Sequence, residues 1–302
     1  MGLFLFLMIE FEIYSPIEEI TLPVFEQHKV RVFLKRDDMI HPFISGNKWR
    51  KLKYNLIKAQ QQDKNHLITF GGAWSNHLLA TACAAARFGF KSTAFVRGED
   101  LNNEALFLCR TFGMKMIFTD RESYRDKHIL FKRYFGNDDS AYFIDEGGAG
   151  EEAALGCSEI ISELTDTYDH IFVAAGTGTT AAGIINGVYN QQRQTKVQVV
   201  SVLKGDFLGE EIQKLGPLPD QFSLHTDYHF GGYAKTKPEL LEFIQMFASS
   251  TGILLDPVYT GKMMFALTDL ISKSEFPAGT RILAIHTGGI FALLGMKEKF
   301  NF

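Results

Sequence analysis

Apolar residues in this chain follow two alternating rhythms. Short runs rich in branched and aromatic residues fall at 31–35, 66–70, 91–96, 115–119, 141–145, 170–174, 198–203 and 281–286, each with the length and composition of a buried β-strand. Between them, at 48–62, 76–88, 103–112, 124–134, 151–164, 179–189, 239–250 and 260–272, apolar positions recur three and four apart, a spacing that lines one face of a helix. Glycines punctuate the change: Phe88-Gly89-Phe90 and Phe112-Gly113-Met114 set one just past a helix and directly ahead of a strand. Strand and helix in alternation predict an α/β protein whose parallel strands are covered on both faces by crossover helices. Four strand–helix units crowd into residues 52–150, while later connections are longer and less regular. That change predicts a smaller α/β unit of residues 52–150 and a larger one made of 1–51 with 151–302.

Composition narrows the partners. The 302 residues carry 31 Lys plus Arg against 35 Asp plus Glu, a net charge of −4 without a long block of one sign, and so have little electrostatic hold on nucleic acid. No apolar run nears the roughly 20 residues that span a bilayer, so no membrane is expected either. Cys83, Cys109 and Cys157 are odd in number and far apart, which argues for a reducing compartment, the cytoplasm, rather than a disulfide framework. Residues 1–9 are nearly all apolar ahead of Glu10 and Glu12. Lacking a basic n-region and a cleavage site, they read as a buried first strand or a loose extension before Met8, not a secretory leader.

Four places have the residues for chemistry. In Ser45-Gly46-Asn47-Lys48 a lysine enters the first turn of a helix, where the positive end of the dipole favours its neutral, nucleophilic form; the bland alternative is a solvated basic face of Lys48, Arg50, Lys51 and Lys53. Gly71-Gly72-Ala73-Trp74-Ser75-Asn76-His77 joins a strand to a helix and presents three polar side chains at the ligand edge of the sheet, unless Ser75 or Asn76 simply caps the helix. Gly176-Thr177-Gly178-Thr179-Thr180 links a strand to a helix through amides and hydroxyls suited to a phosphate. Gly176 to Ala181 is also a formal dinucleotide fingerprint, but no acidic residue stands about 20 positions on. The fourth place is split between Asp256-Pro257-Val258-Tyr259-Thr260-Gly261-Lys262 and His286-Thr287-Gly288-Gly289, the second of which also reads as an ordinary strand-end turn.

Taken in order, Gly46-Asn47-Lys48, Ser75-Asn76-His77, Gly176 to Thr180, Asp256-Pro257-Val258-Tyr259 and His286-Thr287-Gly288-Gly289 resemble the 1-aminocyclopropane-1-carboxylate deaminase and D-cysteine desulfhydrase family of pyridoxal-phosphate (PLP) enzymes. The resemblance implies the tryptophan-synthase-β-like fold, fold type II, with two three-layer α/β/α domains, the larger binding PLP and the cofactor lying between the two. It makes Lys48 the lysine that holds PLP as a Schiff base and moves the proton at Cα, and Lys51 the second lysine near the phosphate. It gives the phosphate to Gly176, Thr177, Gly178, Thr179 and Thr180, the cofactor's phenolate oxygen to Asn76, and the substrate carboxylate to Ser75 and His77 beside Asn76. Tyr233, in Gly231-Gly232-Tyr233, and Tyr259 match two tyrosines that flank the reacting side chain; without the resemblance, packing would explain either. Thr287 falls with the cofactor and Thr260 with the substrate.

These last two positions decide the branch. Where the cyclopropane-opening branch has a glutamate and a leucine, this chain has Thr260 and Thr287, and a neutral hydroxyl strengthens the cofactor ring as an electron sink less than a carboxylate does. The expectation is therefore β-elimination from D-cysteine or a related β-substituted D-amino acid, giving pyruvate, ammonia and sulfide, by a cytoplasmic homodimer. Deamination of 1-aminocyclopropane-1-carboxylate to 2-oxobutyrate is the alternative. From other classes, an NAD-linked oxidoreductase rests on the glycine match, and a non-catalytic PLP-binding module on the fold alone.

Overall fold

The structure is a computed structural model and describes residues 8–10, 12–216 and 222–300; residues 1–7, where the expected first strand or extension falls, lie outside the described residues. Ten strands form two sheets among the described residues. They are β1 (Ile17–Ile20), β2 (Arg31–Lys35), β3 (His66–Gly72), β4 (Lys91–Arg97), β5 (Lys115–Thr119), β6 (Ala141–Phe143), β7 (His170–Ala175), β8 (Lys196–Ser201), β9 (Phe222–His225) and β10 (Arg281–Ile285). The six-stranded sheet runs β1-β2-β10-β7-β8-β9 and the four-stranded sheet β5-β4-β3-β6. Every pairing is parallel except that of β1 with β2.

Eight of the ten strands coincide with the apolar runs, and the two that do not, β1 and β9, are the edges of the larger sheet. An edge strand is covered less, so it needs no continuous apolar run; β1 reads Ile-Glu-Glu-Ile. Helix ends shift for similarly local reasons. The helix expected from residue 124 begins at Lys127, because the Asp126 side chain accepts from the Ile129 amide and stops a short 3₁₀ turn, Ser123–Arg125, from running on.

Alternation along the central strands sorts their side chains into two cores. Val32, Leu34, Phe172, Ala174, Ile282 and Ala284 point into one. Phe33, Ile171, Val173, Ala175, Leu283 and Ile285 point into the other, as parallel strands buried on both faces require. The smaller sheet does the same, with Ala94 and Val96 on one face and Ile68, Phe70 and Phe95 on the other. Both sheets are thus the middle layer of an α/β/α sandwich.

Helix Glu151–Ser162 ties the framework together by packing on both Asn47–Gln61 and Thr179–Asn190. Glycines let the backbones touch. A Cβ on Gly156 would fall 1.8 Å from the Arg50 carbonyl oxygen, and one on Gly183 would fall 2.4 Å from that of Ala154. Because the obstruction is backbone, no rotamer change relieves it. Gly156→Ala is therefore expected to destabilise the protein by about 3 kcal/mol or more, read as a lower midpoint in urea unfolding; an unchanged midpoint would mean that the helices part easily.

Candidate active site

Three helices begin at the strand ends that face one another, and none is capped by a side chain: Asn47–Gln61 after Gly46, Asn76–Phe88 after Ser75, and Thr179–Asn190 after Gly178. No side chain takes up their first amides, although in the first helix the Asn47 and Lys48 amides turn to main-chain carbonyls, and their dipoles make the space between them positive. Asn47 Nδ2 donates to Thr180 Oγ1 at 2.9 Å, and Asn76 Nδ2 to the Gly289 carbonyl at 3.1 Å. These bonds join the three starts, through 286–289, into one site. The turn itself leans on the first helix: Asn47 N donates to the Thr287 carbonyl at 3.3 Å. At Gly46, whose φ is +60°, a Cβ would lie 1.9 Å from that carbonyl oxygen.

The basic run of the first helix is not a solvated face. Arg50 is wholly buried and bonded to Asp37 and Glu163, while Lys53 pairs with Glu159 at 2.7 Å. Lys48 is half-buried. Burial, reinforced by the Lys51 ammonium, lowers its amine to about 7 against the opposing pull of Cys157 and Asp256. Lys51 is 3% exposed, burial lowers its pKa as well, and its Nζ donates to the Gly147 carbonyl at 3.1 Å. A near-neutral amine beside a second lysine is a nucleophile next to a cation.

The loop from Gly176 to Thr180 forms the opposite wall. Gly178 takes φ +82°, and a Cβ on it would meet Ile212 at 3.0 Å; one on Gly176 would meet the Tyr259 ring at 3.2 Å, so Tyr259 leans directly on this loop. Tyr259 and Tyr233 pack edge to face with centroids 6.2 Å apart, and Tyr233 is 50% exposed. Burial raises both phenols, Tyr259 well above its ordinary value, so both keep their protons at neutral pH. Tyr259 is set by Asp256, which accepts from the amides of Val258, Tyr259 and Thr260 and from the Thr260 hydroxyl. Lys262 holds Tyr233's loop: its buried ammonium donates to the carbonyls of His229 and Gly232, both at 2.8 Å.

Two side chains depart from the expected roles. Thr260 is wholly buried, with its hydroxyl committed to Asp256 and also accepting from the Asp256 amide at 2.9 Å. It shapes the Tyr259 turn instead of facing a substrate. His77 is 1% exposed. Thr69 Oγ1 donates to the Ile144 carbonyl and therefore accepts from His77 Nε2 at 2.7 Å, an order that assigns the ring proton to Nε2 and leaves Nδ1 a buried acceptor without a partner. Burial, with Lys48 and Lys51 adding to it, holds the ring neutral. Such a ring has no proton to offer a carboxylate.

Asn47, Asp256 and Lys262 were missed as positioning residues. Asp256 was detectable, since an Asp four residues before an otherwise uncapped helix is a capping signal; Lys262 was not, because its partners lie 30 and 33 positions away.

The donor set fits a pyridoxal phosphate. A phosphate needs uncapped helix amides, hydroxyls and a lysine, which Gly176 to Thr180 and Lys51 provide, and an aldehyde needs an amine that is neutral near pH 7, which is Lys48. The dinucleotide alternative fails on the same ground: β8, the strand after the glycine loop's helix, ends at Ser201 with no carboxylate for a ribose. Among the described residues there is no group of three or more side chains able to hold a metal ion, and no helix is long and apolar enough to cross a membrane.

Comparison with known proteins agrees. The bifunctional D-cysteine desulfhydrase/1-aminocyclopropane-1-carboxylate deaminase of Arabidopsis thaliana, a mitochondrial protein, is 31% identical over 95% of this chain and 78% of its own. A Thermotoga maritima protein provisionally named 1-aminocyclopropane-1-carboxylate deaminase is 31% identical over 91% of this chain and 93% of its own. The crystal structure of an ACC deaminase homologue superposes with a TM-score of 0.85 at 30% identity, covering 97% of this chain and 94% of that one. Residues 11–288 match the family described as pyridoxal-phosphate dependent enzyme, and the chain belongs to that family of enzymes, with PLP as its cofactor.

Proposed function

We propose that this enzyme catalyses β-elimination from a small D-amino acid, D-cysteine or a close analogue, consuming water and yielding pyruvate, ammonia and sulfide. The observation that carries the reading is the Lys48 amine, lowered to about 7 and set beside Lys51 at the uncapped start of its helix. Bound PLP supplies the electron sink that makes a Cα proton removable. Lys51 and the Gly176–Thr180 loop hold the phosphate and Thr287 lies with the cofactor, so that Lys48 faces the reacting carbon. Neutral Lys48 takes the proton from Cα as a general base. Ser75, Asn76 and the free main-chain amides at the head of their helix receive the carboxylate, His77 contributing its amide rather than its ring. Asn76 also keeps a second amide hydrogen for the cofactor's oxygen. The phenols of Tyr233 and Tyr259, both held in the protonated form, flank the leaving sulfur and can return a proton to it.

Thiol loss is favoured over ring opening by the electrostatics at Thr260. A threonine whose hydroxyl is spent on Asp256 brings no carboxylate to the cofactor, and a cyclopropane, the poorer leaving group, needs that help more. Deamination of 1-aminocyclopropane-1-carboxylate is the second reading, supported by the bifunctional name of the Arabidopsis relative. In the same proposal residues 52–150 form the smaller domain over the cofactor, and the chain works as a cytoplasmic homodimer. Free, buried Cys83, Cys109 and Cys157 suit a reducing compartment, and two-fold dimers are the commonest assembly.

Lys48→Ala is expected to abolish turnover and the visible absorption that borohydride removes from the holoenzyme, whereas Lys51→Ala weakens PLP binding and retains that absorption; a Lys48→Ala enzyme that kept both properties would overturn the assignment. In the cofactor-free protein Lys48 also contributes to the pH dependence of stability. The unfolded lysine holds its proton to about pH 10 and the folded one only to about 7, so the unfolded chain carries the extra proton in between. Stability therefore rises with pH across that window, and Lys48→Ala is expected to flatten part of the rise in urea titrations. For the substrate, kcat/KM with D-cysteine is expected to exceed that with 1-aminocyclopropane-1-carboxylate by about tenfold or more, roughly 1.4 kcal/mol. A preference for the cyclopropane, with no sulfide released from D-cysteine, would reverse the order of the two readings.

A further inference from the structure

Beside the Lys48 site, an open cavity of about 500 Å³ is lined by Arg97, Arg121, Tyr124, Arg125, Lys127 and Glu146. Four cations face one carboxylate there. Lys127 is already matched, at 3.4 Å from Asp145 and 3.6 Å from Glu146, while Arg97, Arg121 and Arg125 have no carboxylate within 4 Å among the described residues. Elsewhere Arg31, Arg36, Arg50, Arg110 and Arg281 each pair with at least one, and Arg193 is taken up by the Leu164 and Asp166 carbonyls.

A second observation comes from below the arginines. Tyr124 is 3% exposed, and its hydroxyl has no partner within 3.5 Å; burial, with the neighbouring Glu146 carboxylate adding to it, raises its pKa, so it keeps a proton whose nearest acceptor, Glu146, stands beyond a proper hydrogen bond. The Arg97 guanidinium lies over its ring, 5.4 Å from the centroid, and is thereby oriented before any ligand arrives. Position agrees with charge. Arg97 closes β4 and Arg121 follows β5 by two residues, which is the carboxyl edge where α/β sheets bind ligands.

We propose that this cavity is a second binding site, for a small oxyanion held by the Arg97, Arg121 and Arg125 guanidinium groups and the Tyr124 hydroxyl. Phosphate, sulfate and a phosphorylated small molecule share the required chemistry: several acceptor oxygens, full negative charge and a size that suits a guanidinium fork. The cavity also adjoins the catalytic site. Arg97 Nη2 lies 3.7 Å from where a Cβ of Gly72 would stand, at the start of the loop to Ser75, and Glu146 precedes Gly147, whose carbonyl receives Lys51. The oxyanion therefore has two possible sources, a separate molecule or the far end of an amino-acid substrate.

The test uses PLP-saturated holoenzyme, whose cofactor phosphate already fills the Gly176–Thr180 cradle. Titration calorimetry with inorganic phosphate and with sulfate, at ionic strength held constant by chloride, is expected to give one site per chain. Arg121→Ala/Arg125→Ala should weaken it by about tenfold or more, and Tyr124→Phe, which keeps the ring, should weaken it without lowering Tm. In the second arm kcat/KM is compared for O-phospho-D-serine and D-serine. A loss in the double variant confined to the phosphorylated substrate assigns the site to the substrate's far end, while equal ratios with retained phosphate binding assign it to a separate anion. If wild type binds neither anion and the double variant leaves the substrate ratio unchanged, or if binding is equal in wild type and both variants, the proposal fails. Calorimetry reads the site whether or not the reaction proposed above is the right one.

Discussion

The structure depends on one guanidinium that water does not reach. Arg50 is wholly buried and divides its donors between Asp37, itself fully buried, and Glu163, with Lys35 joining Glu163 at 2.8 Å and Ser15 donating to Asp37. Four stretches meet there: the segment before β1, the end of β2, the Lys48 helix, and the exit of Glu151–Ser162. A buried ion pair adds little net stability over an apolar contact, but removing one partner costs about 3–5 kcal/mol. The network therefore fixes arrangement more than it adds stability. Lys48 lies two residues before Arg50 on the same helix. With about 100° between successive residues, holding Arg50 inward also holds Lys48 and Lys51, which share a face three residues apart, toward the opposite wall.

Caps explain why the space between the helices is positive. Glu104–Thr111 and Lys127–Phe135 start in the ordinary way, on Asn103 and Asp126 side chains that take up an orphan amide. The starts at Gly46, Ser75 and Gly178 have no such partner. Glu151–Ser162 and Pro238–Thr251 also start without a side-chain cap, so what sets the three apart is that the Asn47–Thr180 and Asn76–Gly289 bonds draw their starts to one space. At Ser75 and Gly178 the missing cap leaves amides open to an anion, while at Gly46 the Asn47 and Lys48 amides turn to the Thr287 and Ser45 carbonyls; the dipole of that helix still lowers the proton affinity of the lysine in its first turn.

What the sequence disclosed follows from how local each signal is. Buried strands such as β7 and β10 announce themselves, because both faces must be apolar and four to six consecutive residues say so; β1 and β9, half-covered at the edges, carry no comparable run. The Gly176–Thr180 loop was legible because its glycines and hydroxyls are contiguous. Arg50 was not: its partner Glu163 is 113 positions away, and a lysine- and arginine-rich stretch looks like surface until the fold supplies that partner. The same blindness affected His77 and Thr260. Their identities suited substrate contacts, but Thr69 and Asp256 claim their polar atoms first, a competition visible only in three dimensions.

The glycine contacts among the three central helices also divide the molecule mechanically. Where Gly156 meets the Arg50 carbonyl and Gly183 meets that of Ala154, main chain rests on main chain with no side chain between to deform, and a joint of that kind does not glide. The floor under Lys48 and the Thr179 helix is consequently stiff, and accommodation to molecules of different size falls to the opposite bank, the 71–75 loop and the Tyr233 loop, where contacts run through side chains that can turn. An enzyme built this way keeps its reacting amine and its anion cradle in fixed register while the shape of what it accepts is set elsewhere. Altered selectivity can then arise on the yielding side without disturbing the chemistry on the rigid one.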